Sequence, residues 1–307
     1  MTLTQYTLTA MAAVGDPSCF APVDELVEAL DPGAVPGRDL PVPRALSHCR
    51  AVRTYYLSGS VTIEDLRASL ATLSQRESID LVLQPLAARQ RQYRLAVFDM
   101  DSTLIRCEVI DELARCAGVG DQVALITERA MKGEIDFEAS FRERLALLEG
   151  LDASCIDALA AGLPVTEGVQ ELMLTLRARG VYTAVISGGF LPFAEYLQRQ
   201  FGFDEVYANA LPVEQGRVIG KPLLPIVDGD FKRRTLLDIA ARLSVRPEEV
   251  IAVGDGANDI PMMTAAGLGI AYAAKPRVAE RADCQIRYVG LDGVLYLLGS
   301  KGELDDG

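Results

Sequence analysis

The chain has 307 residues and a net charge of -13, with 50% hydrophobic and 24% charged residues. That composition fits a soluble globular protein of about two domains, and the acidic balance argues against nucleic acid and anionic membrane surfaces, both of which favour basic patches. Ala265 to Ala274 is the longest apolar stretch, far short of the ~20 residues that span a bilayer.

Six cysteines without C-x-x-C spacing and a single histidine, His48, offer neither a zinc site nor a histidine base. With no basic residue before Arg38, the expectation is a cytoplasmic protein without a signal peptide, its thiols reduced.

In chain order, residues 12 to 50 are rich in Pro, Gly and Ala with weak periodicity. Ala51 to Gly59 then reads as a strand, Ile63 to Ser74 as a helix and Leu81 to Leu83 as another strand. These form a small N-terminal α+β module over residues 1 to 92, closed by a polar junction, Arg89 to Gln92.

From Tyr93 onward strands alternate with helices. The strands are Leu95 to Asp99, Val181 to Ser187, Glu205 to Ala208, Val250 to Gly254 and Gly269 to Ala271. Such alternation predicts a doubly wound α/β fold with a parallel sheet, in which ligands gather at the carboxyl ends of the strands.

A helical insertion, residues 107 to 163, separates the first two strands of that core, which resumes over 164 to 300. Its third helix carries Phe137, Phe141, Leu145 and Leu148 on one stripe. Arg144, seven residues after Phe137, falls within about 20° of the same stripe, which suggests a charge aimed into a covered cavity. Asn209 to Pro225 reads as a β-hairpin.

The chemistry-bearing residues sit at strand ends. Asp99 and Asp101, one residue apart in D-M-D-S-T, would repel if both were buried and ionised, so the pair implies a cation, a shared proton or separate duties. Ser187-Gly188-Gly189, expected just past a strand and before a helix from Phe193 to Phe201, offers a hydroxyl and backbone amides to an anion. Lys232, expected ahead of a helix from Thr235 to Leu243, can neutralise a phosphate and hold Asp99 near it. Asp255 lies between Gly254 and Gly256 beyond a buried strand, a natural position for a magnesium ligand, and one of Asn258 and Asp259 reads as a helix N-cap.

These four segments in this order resemble the motifs of the haloacid dehalogenase superfamily. The segments Asp99 to Gly118, Thr127 to Phe137 and Val253 to Pro276 are similar, more closely, to the phosphoserine phosphatase family, and the likeness covers residues 93 to 298.

The resemblance implies that Asp99 is the nucleophile and Asp101 the general acid and base, with an aspartyl-phosphate intermediate. Mg2+ would be held by Asp99, the backbone carbonyl of Asp101 and Asp255. Ser187, Gly188, Gly189 and Lys232 would bind the phosphoryl oxygens, and Asn258 and Asp259 would support the magnesium waters and Lys232. Glu108 and Arg144 would meet the ammonium and carboxylate of phosphoserine, and Met131 and Phe137 would close the pocket.

The implied activity is Mg-dependent release of L-serine from O-phospho-L-serine, the last step of serine biosynthesis. Alternatives are another small phosphoester such as phosphothreonine or phosphohomoserine, handled by a phosphatase or a phosphotransferase, and a receiver-like phospho-accepting domain. A dehalogenase would need neither Asp101 nor a metal. Residues 1 to 92 are expected to regulate the enzyme or to form a homodimer.

Overall fold

A computed structural model describes residues 6–35, 39–42, 48–57 and 63–299 of the protein. At the N-terminus, β1 (Tyr6–Ala12) is followed by α1 (Ala21–Leu30), β2 (Ala51–Leu57), α2 (Ile63–Glu77), β3 (Asp80–Pro85) and the short α3 (Leu86–Arg89). The three strands form an antiparallel sheet in the order β2-β1-β3.

Strand periodicity explains how this sheet is used. Leu8, Ala10 and Ala12 pack with Val23 and Val27 of α1 and Leu66, Leu70 and Leu73 of α2. Met11 of β1, with Val52 and Val82 from the neighbouring strands, joins the main core of the chain instead. The sheet therefore has its own helices on one face and the rest of the protein on the other.

Two parts of this region differ from the sequence expectation. The weakly periodic stretch contains β1's last residue and α1, whose Val23, Leu26, Val27 and Leu30 share one helical face against the N-terminal core. The expected polar junction begins with Arg89, which is buried, its guanidinium donating to the Tyr296 carbonyl at 2.6 Å and to Thr9 Oγ1 at 3.1 Å. The expected strand end at Gly59 lies outside the described residues; β2 runs to Leu57.

The remaining elements follow in order. They are β4 (Leu95–Phe98), α4 (Val109–Cys116), α5 (Gly120–Met131), α6 (Phe137–Ala146), α7 (Ser154–Ala161), α8 (Val169–Ala178), β5 (Tyr182–Phe190), α9 (Leu191–Phe201) and β6 (Glu205–Asn209). A small hairpin, β7 (Val213–Glu214) and β8 (Arg217–Val218), precedes α10 (Gly229–Arg242), β9 (Val250–Gly254), α11 (Ile260–Ala265), β10 (Leu268–Tyr272), α12 (Pro276–Ala279) and β11 (Cys284–Ile286).

Strands β11-β10-β9-β4-β5-β6 form one parallel sheet in that order. It is covered on both faces, which is why β4 and β9 are continuous apolar runs. Leu95 and Val97 pack with Leu236 and Ile239 of α10 on one side, while Ala96 and Phe98 pack with Leu172 and Leu176 of α8 on the other. Helices α4 to α7 fall between β4 and β5, where the sequence predicts an insertion.

Two boundaries move. β5 continues through Ser187, Gly188 and Gly189 to Phe190, with a register break against β6 between Ile186 and Phe190. α10 begins at Gly229, so Lys232 lies inside its first turn rather than ahead of it, because Asp228 caps the helix by accepting the Phe231 N–H at 2.7 Å.

Candidate active site

Parallel strands β4, β5 and β9 are neighbours, so their carboxyl ends deliver Asp99, Ser187 and Asp255 to one point. A cleft of about 140 Å³ opens there, lined by Asp99, Asp101, Glu108, Phe137, Arg144, Ser187, Gly188, Gly189, Asp255 and Asn258, with Ile110, Phe141, Phe190 and Gly256.

Asp99 is buried, and its Oδ1 is held twice: by Lys232 Nζ at 2.8 Å and by the Met100 N–H at 2.7 Å. Its Oδ2 accepts no hydrogen bond among the described residues, so it is the oxygen left for chemistry. Lys232 is fully buried, and its Nζ also sits 2.6 Å from Asp259 Oδ1. Burial alone would lower the lysine's pKa, but the charges of Asp259 and Asp99 outweigh it and the net shift is upward. The ammonium is therefore fixed in its charged form.

The outer oxygen of Asp259 accepts the N–H groups of Asp255 (3.1 Å) and Gly256 (2.9 Å), which shapes the loop after β9. Gly254 has to be glycine, because a Cβ there would lie 2.4 Å from the Asp259 carboxyl carbon. Asp259 is thus spent on Lys232 and the loop, which makes its part a supporting one.

Carboxylate oxygens of Asp99, Asp255 and Asp259 lie within 4.8 Å of one another. The Asp255 carboxyl is pushed up to about 8, by burial first and then by repulsion from Asp99 and Asp259. Thr103 Oγ1 offers it a 3.4 Å contact. An all-oxygen donor set of three carboxylates sharing a single ammonium fits a hard divalent cation.

Asp101 is buried, and its carboxyl is held well above the usual carboxylate range, by burial first and then by Glu108 and Asp99. A carboxyl held up in this way keeps its proton to higher pH than a solvated one, which is what a general acid requires. A Cβ on Gly189 would lie 2.6 Å from Asp101 Oδ2 and 3.2 Å from Ser187 Oγ, so only glycine lets this strand pass so close to the acid.

Glu108 and Arg144 reach the cleft from the helical insertion. Glu108 precedes α4 but makes no side-chain capping bond; it accepts Ser102 Oγ at 2.9 Å instead. Its carboxyl is shifted upward, by desolvation first, against the Ser102 bond and aided by Asp99 and Asp111. Arg144 donates to the Ser140 carbonyl at 3.3 Å, leaving most of its fork toward the cleft; desolvation lowers its pKa while Glu108 and Asp111 raise it. Phe137, stacked on Phe141 at 6.4 Å, forms the wall opposite Gly188.

Met131 is not brought to this cleft. It is 68% exposed and lines a separate surface depression with Asp111, Ala124, Thr127, Glu128 and Lys132. Its place at the end of α5 is set by packing of α5 on α4 and α6, which motif spacing does not encode. Sequence reasoning also passed over Ser102, which the structure places in the left-handed region with φ 58° to hold Glu108. Its position inside D-M-D-S-T was the available signal.

The family model for haloacid dehalogenase-like hydrolases matches residues 93–267. Phosphoserine phosphatase of Archaeoglobus fulgidus is 44% identical over 236 residues, covering 76% of this chain and 69% of its own. A haloacid dehalogenase family hydrolase of Salmonella enterica serovar Typhi superposes with TM-score 0.86 at 32% identity, over 96% of this chain and 99% of that one. A substrate-bound phosphoserine phosphatase complex superposes with TM-score 0.64 at 38% identity, over 68% of this chain and all (100%) of its own. The family model spans the segment that builds the cleft, and the chain belongs to the haloacid dehalogenase-like hydrolases, within their phosphoserine phosphatase family.

Proposed function

We propose that the protein hydrolyses O-phospho-L-serine to L-serine and phosphate, the last step of L-serine biosynthesis, through an aspartyl-phosphate intermediate. The observation that carries this reading is the placement of Glu108 and Arg144, opposite charges on the inserted helices, over the Asp99/Asp101 pair in one small cleft.

Asp99 Oδ2 attacks phosphorus while Lys232 and the Met100 amide hold Oδ1. Asp101, its carboxyl held above the usual range by burial and by Glu108 and Asp99, gives its proton to the departing serine oxygen; it then takes one from the water that hydrolyses the acyl phosphate, regenerating Asp99. Ser187, Gly188, Gly189 and Lys232 bind the phosphoryl oxygens, with Asn258 beside them. Arg144 pairs with the substrate carboxylate and Glu108 with its ammonium, while Phe137 excludes water. Asp99, the Asp101 carbonyl and Asp255 would hold Mg2+, whose charge would offset that of the phosphoryl oxygens.

In this reading residues 107–163 act as a cap over the core segments 93–106 and 164–300, and residues 1–92 form a regulatory or dimerising module of a cytoplasmic homodimer. No described helix is long and apolar enough to cross a membrane.

Phosphate release from O-phospho-L-serine, phosphothreonine and p-nitrophenyl phosphate, each with magnesium and with chelator, tests the proposal. Magnesium-dependent preference for phosphoserine is expected. Broad weak activity without that preference would move the substrate to another small phosphoester, and no turnover at all would favour a phospho-accepting role.

A further inference from the structure

Three residues of β5, Ser187, Gly188 and Gly189, fall in the register gap against β6: Ile186 pairs with Tyr207, and the next pair is Phe190 with Asn209. Three residues on one strand thus face a single residue, Ala208, on the other. The extra backbone has to bulge from the ladder, and its peptide groups need partners elsewhere.

One side chain meets that need. Asn209, at the end of β6 and 3% exposed, donates from Nδ2 to the Gly188 carbonyl at 2.8 Å. Its Oδ1 accepts the Val227 N–H at 2.9 Å. On the far side of the Gly188–Gly189 peptide, the Gly189 N–H donates to Ser187 Oγ at 2.9 Å. That peptide is therefore held at both ends, its carbonyl by Asn209 and its amide by Ser187.

Val227 lies one residue before Asp228, the N-cap of α10, and the Lys232 N–H donates to the Asp228 carbonyl at 2.9 Å. A single buried amide consequently joins the two arms that flank the phosphoryl position, the Ser187–Gly189 bulge and the turn that launches Lys232. The pairing requires one donor and one acceptor on the same planar group, which among side chains of this length only asparagine provides.

We infer that Asn209 is a positioning residue for the phosphoryl-binding site, setting the Ser187–Gly189 bulge against the helix that carries Lys232. It is absent from the cleft lining, and its two hydrogen bonds go to the Gly188 carbonyl and the Val227 N–H rather than to Glu108 or Arg144. The inference rests on the phosphatase reading above, but concerns how the phosphoryl group is held rather than which alcohol carries it.

The test compares Asn209→Ala and Asn209→Asp with the wild type. It reads kcat/KM on O-phospho-L-serine and on p-nitrophenyl phosphate, binding of inorganic phosphate with magnesium by calorimetry, and Tm. For Asn209→Ala we expect at least a tenfold loss of kcat/KM in equal proportion on both substrates, and phosphate binding weakened by a similar factor. A folded variant within twofold of wild type on both readouts, with only Tm lowered, would overturn the inference.

Asn209→Asp keeps the acceptor for Val227 and keeps the donor to Gly188 only when protonated. Its activity relative to wild type should therefore fall as pH rises; a ratio flat with pH would overturn the inference, as would failure of both variants to fold. Absence of a phosphoserine preference in the wild type would sink the substrate assignment while leaving the variant-to-wild-type ratios, and so this inference, standing on p-nitrophenyl phosphate and phosphate binding.

Discussion

Lys232 Nζ lies 2.8 Å from Asp99 Oδ1, with both side chains buried and Asp259 2.6 Å from the same ammonium. One cation thus holds Asp99 Oδ1, while Oδ2 accepts no hydrogen bond among the described residues. Lys232→Met would leave two buried carboxylates without their counter-charge, a change that costs about 3–5 kcal/mol. We expect loss of turnover together with a stability loss of that size, read by urea denaturation and by activity of the folded fraction. A variant with wild-type stability would show that the ion pair matters less than its burial implies.

The crowding of Asp99, Asp255 and Asp259 would make a cation bound there a stabiliser of the fold. Millimolar magnesium should raise Tm by several degrees, since a ligand that binds only the folded state adds RT ln(1 + [L]/Kd). Asp255→Asn should abolish the shift while folding normally in its absence, because it removes a carboxylate whose charge burial and its neighbours already disfavour. Differential scanning fluorimetry with and without chelator settles this without any activity assay.

Asp101→Asn separates the two chemical steps. The variant cannot protonate a serine oxygen, so phosphoserine turnover should fall by about 10²–10⁴. p-Nitrophenol leaves without a proton, so rapid mixing with p-nitrophenyl phosphate should give a burst of up to one equivalent followed by slow turnover, as the acyl phosphate waits for a base. Steady release without a burst would count against Asp101 acting in both directions.

Glu108 predicts a pH signature in KM. Its carboxyl is raised above the ordinary 4.5, so its negative charge is complete only above that raised value and is lost as pH falls through it. KM for phosphoserine should therefore climb on acidification sooner than for an unperturbed glutamate. Glu108→Gln should show a high KM with that part of the profile removed, and its effect on p-nitrophenyl phosphate should be small. Arg144→Lys should raise KM roughly tenfold by exchanging a bidentate fork for a point charge.

Asp80 predicts an effect on stability alone. Its carboxylate accepts three backbone N–H groups, from Arg287 at 2.7 Å and from Tyr288 and Val289 at 2.9 Å each, tying β3 to the segment after β11. Asp80→Ala orphans these donors, and Val289 is buried, so a loss of about 2–4 kcal/mol is expected. Chemical denaturation checks the size, and kcat at 25 °C should be unchanged, because the contacts lie across the sheet from the cleft-forming strands.

Motif chemistry was legible in the sequence because it is local. An apolar run followed by D-M-D-S-T or G-D-G-A-N-D is a strand ending in a loop, and parallel strands put all such loops on one side. Arg144 was legible for the same kind of reason, since helical spacing alone places it with Phe137 and Phe141. Strand β1 was not, because the strands that flank it, β2 and β3, begin only at Ala51 and Asp80.

By itself the sequence determined which residue types meet at the carboxyl end of the sheet: two aspartates, a serine with two glycines, a lysine and a third aspartate. Only the tertiary structure decided which oxygen of Asp99 is held by Lys232, that Met131 is exposed and that Asn209 joins two arms of the site. The physical reason is range. Periodicity and turn chemistry act over a few residues, whereas these relationships are hydrogen bonds, ion pairs and burial between segments that only the packed sheet brings together.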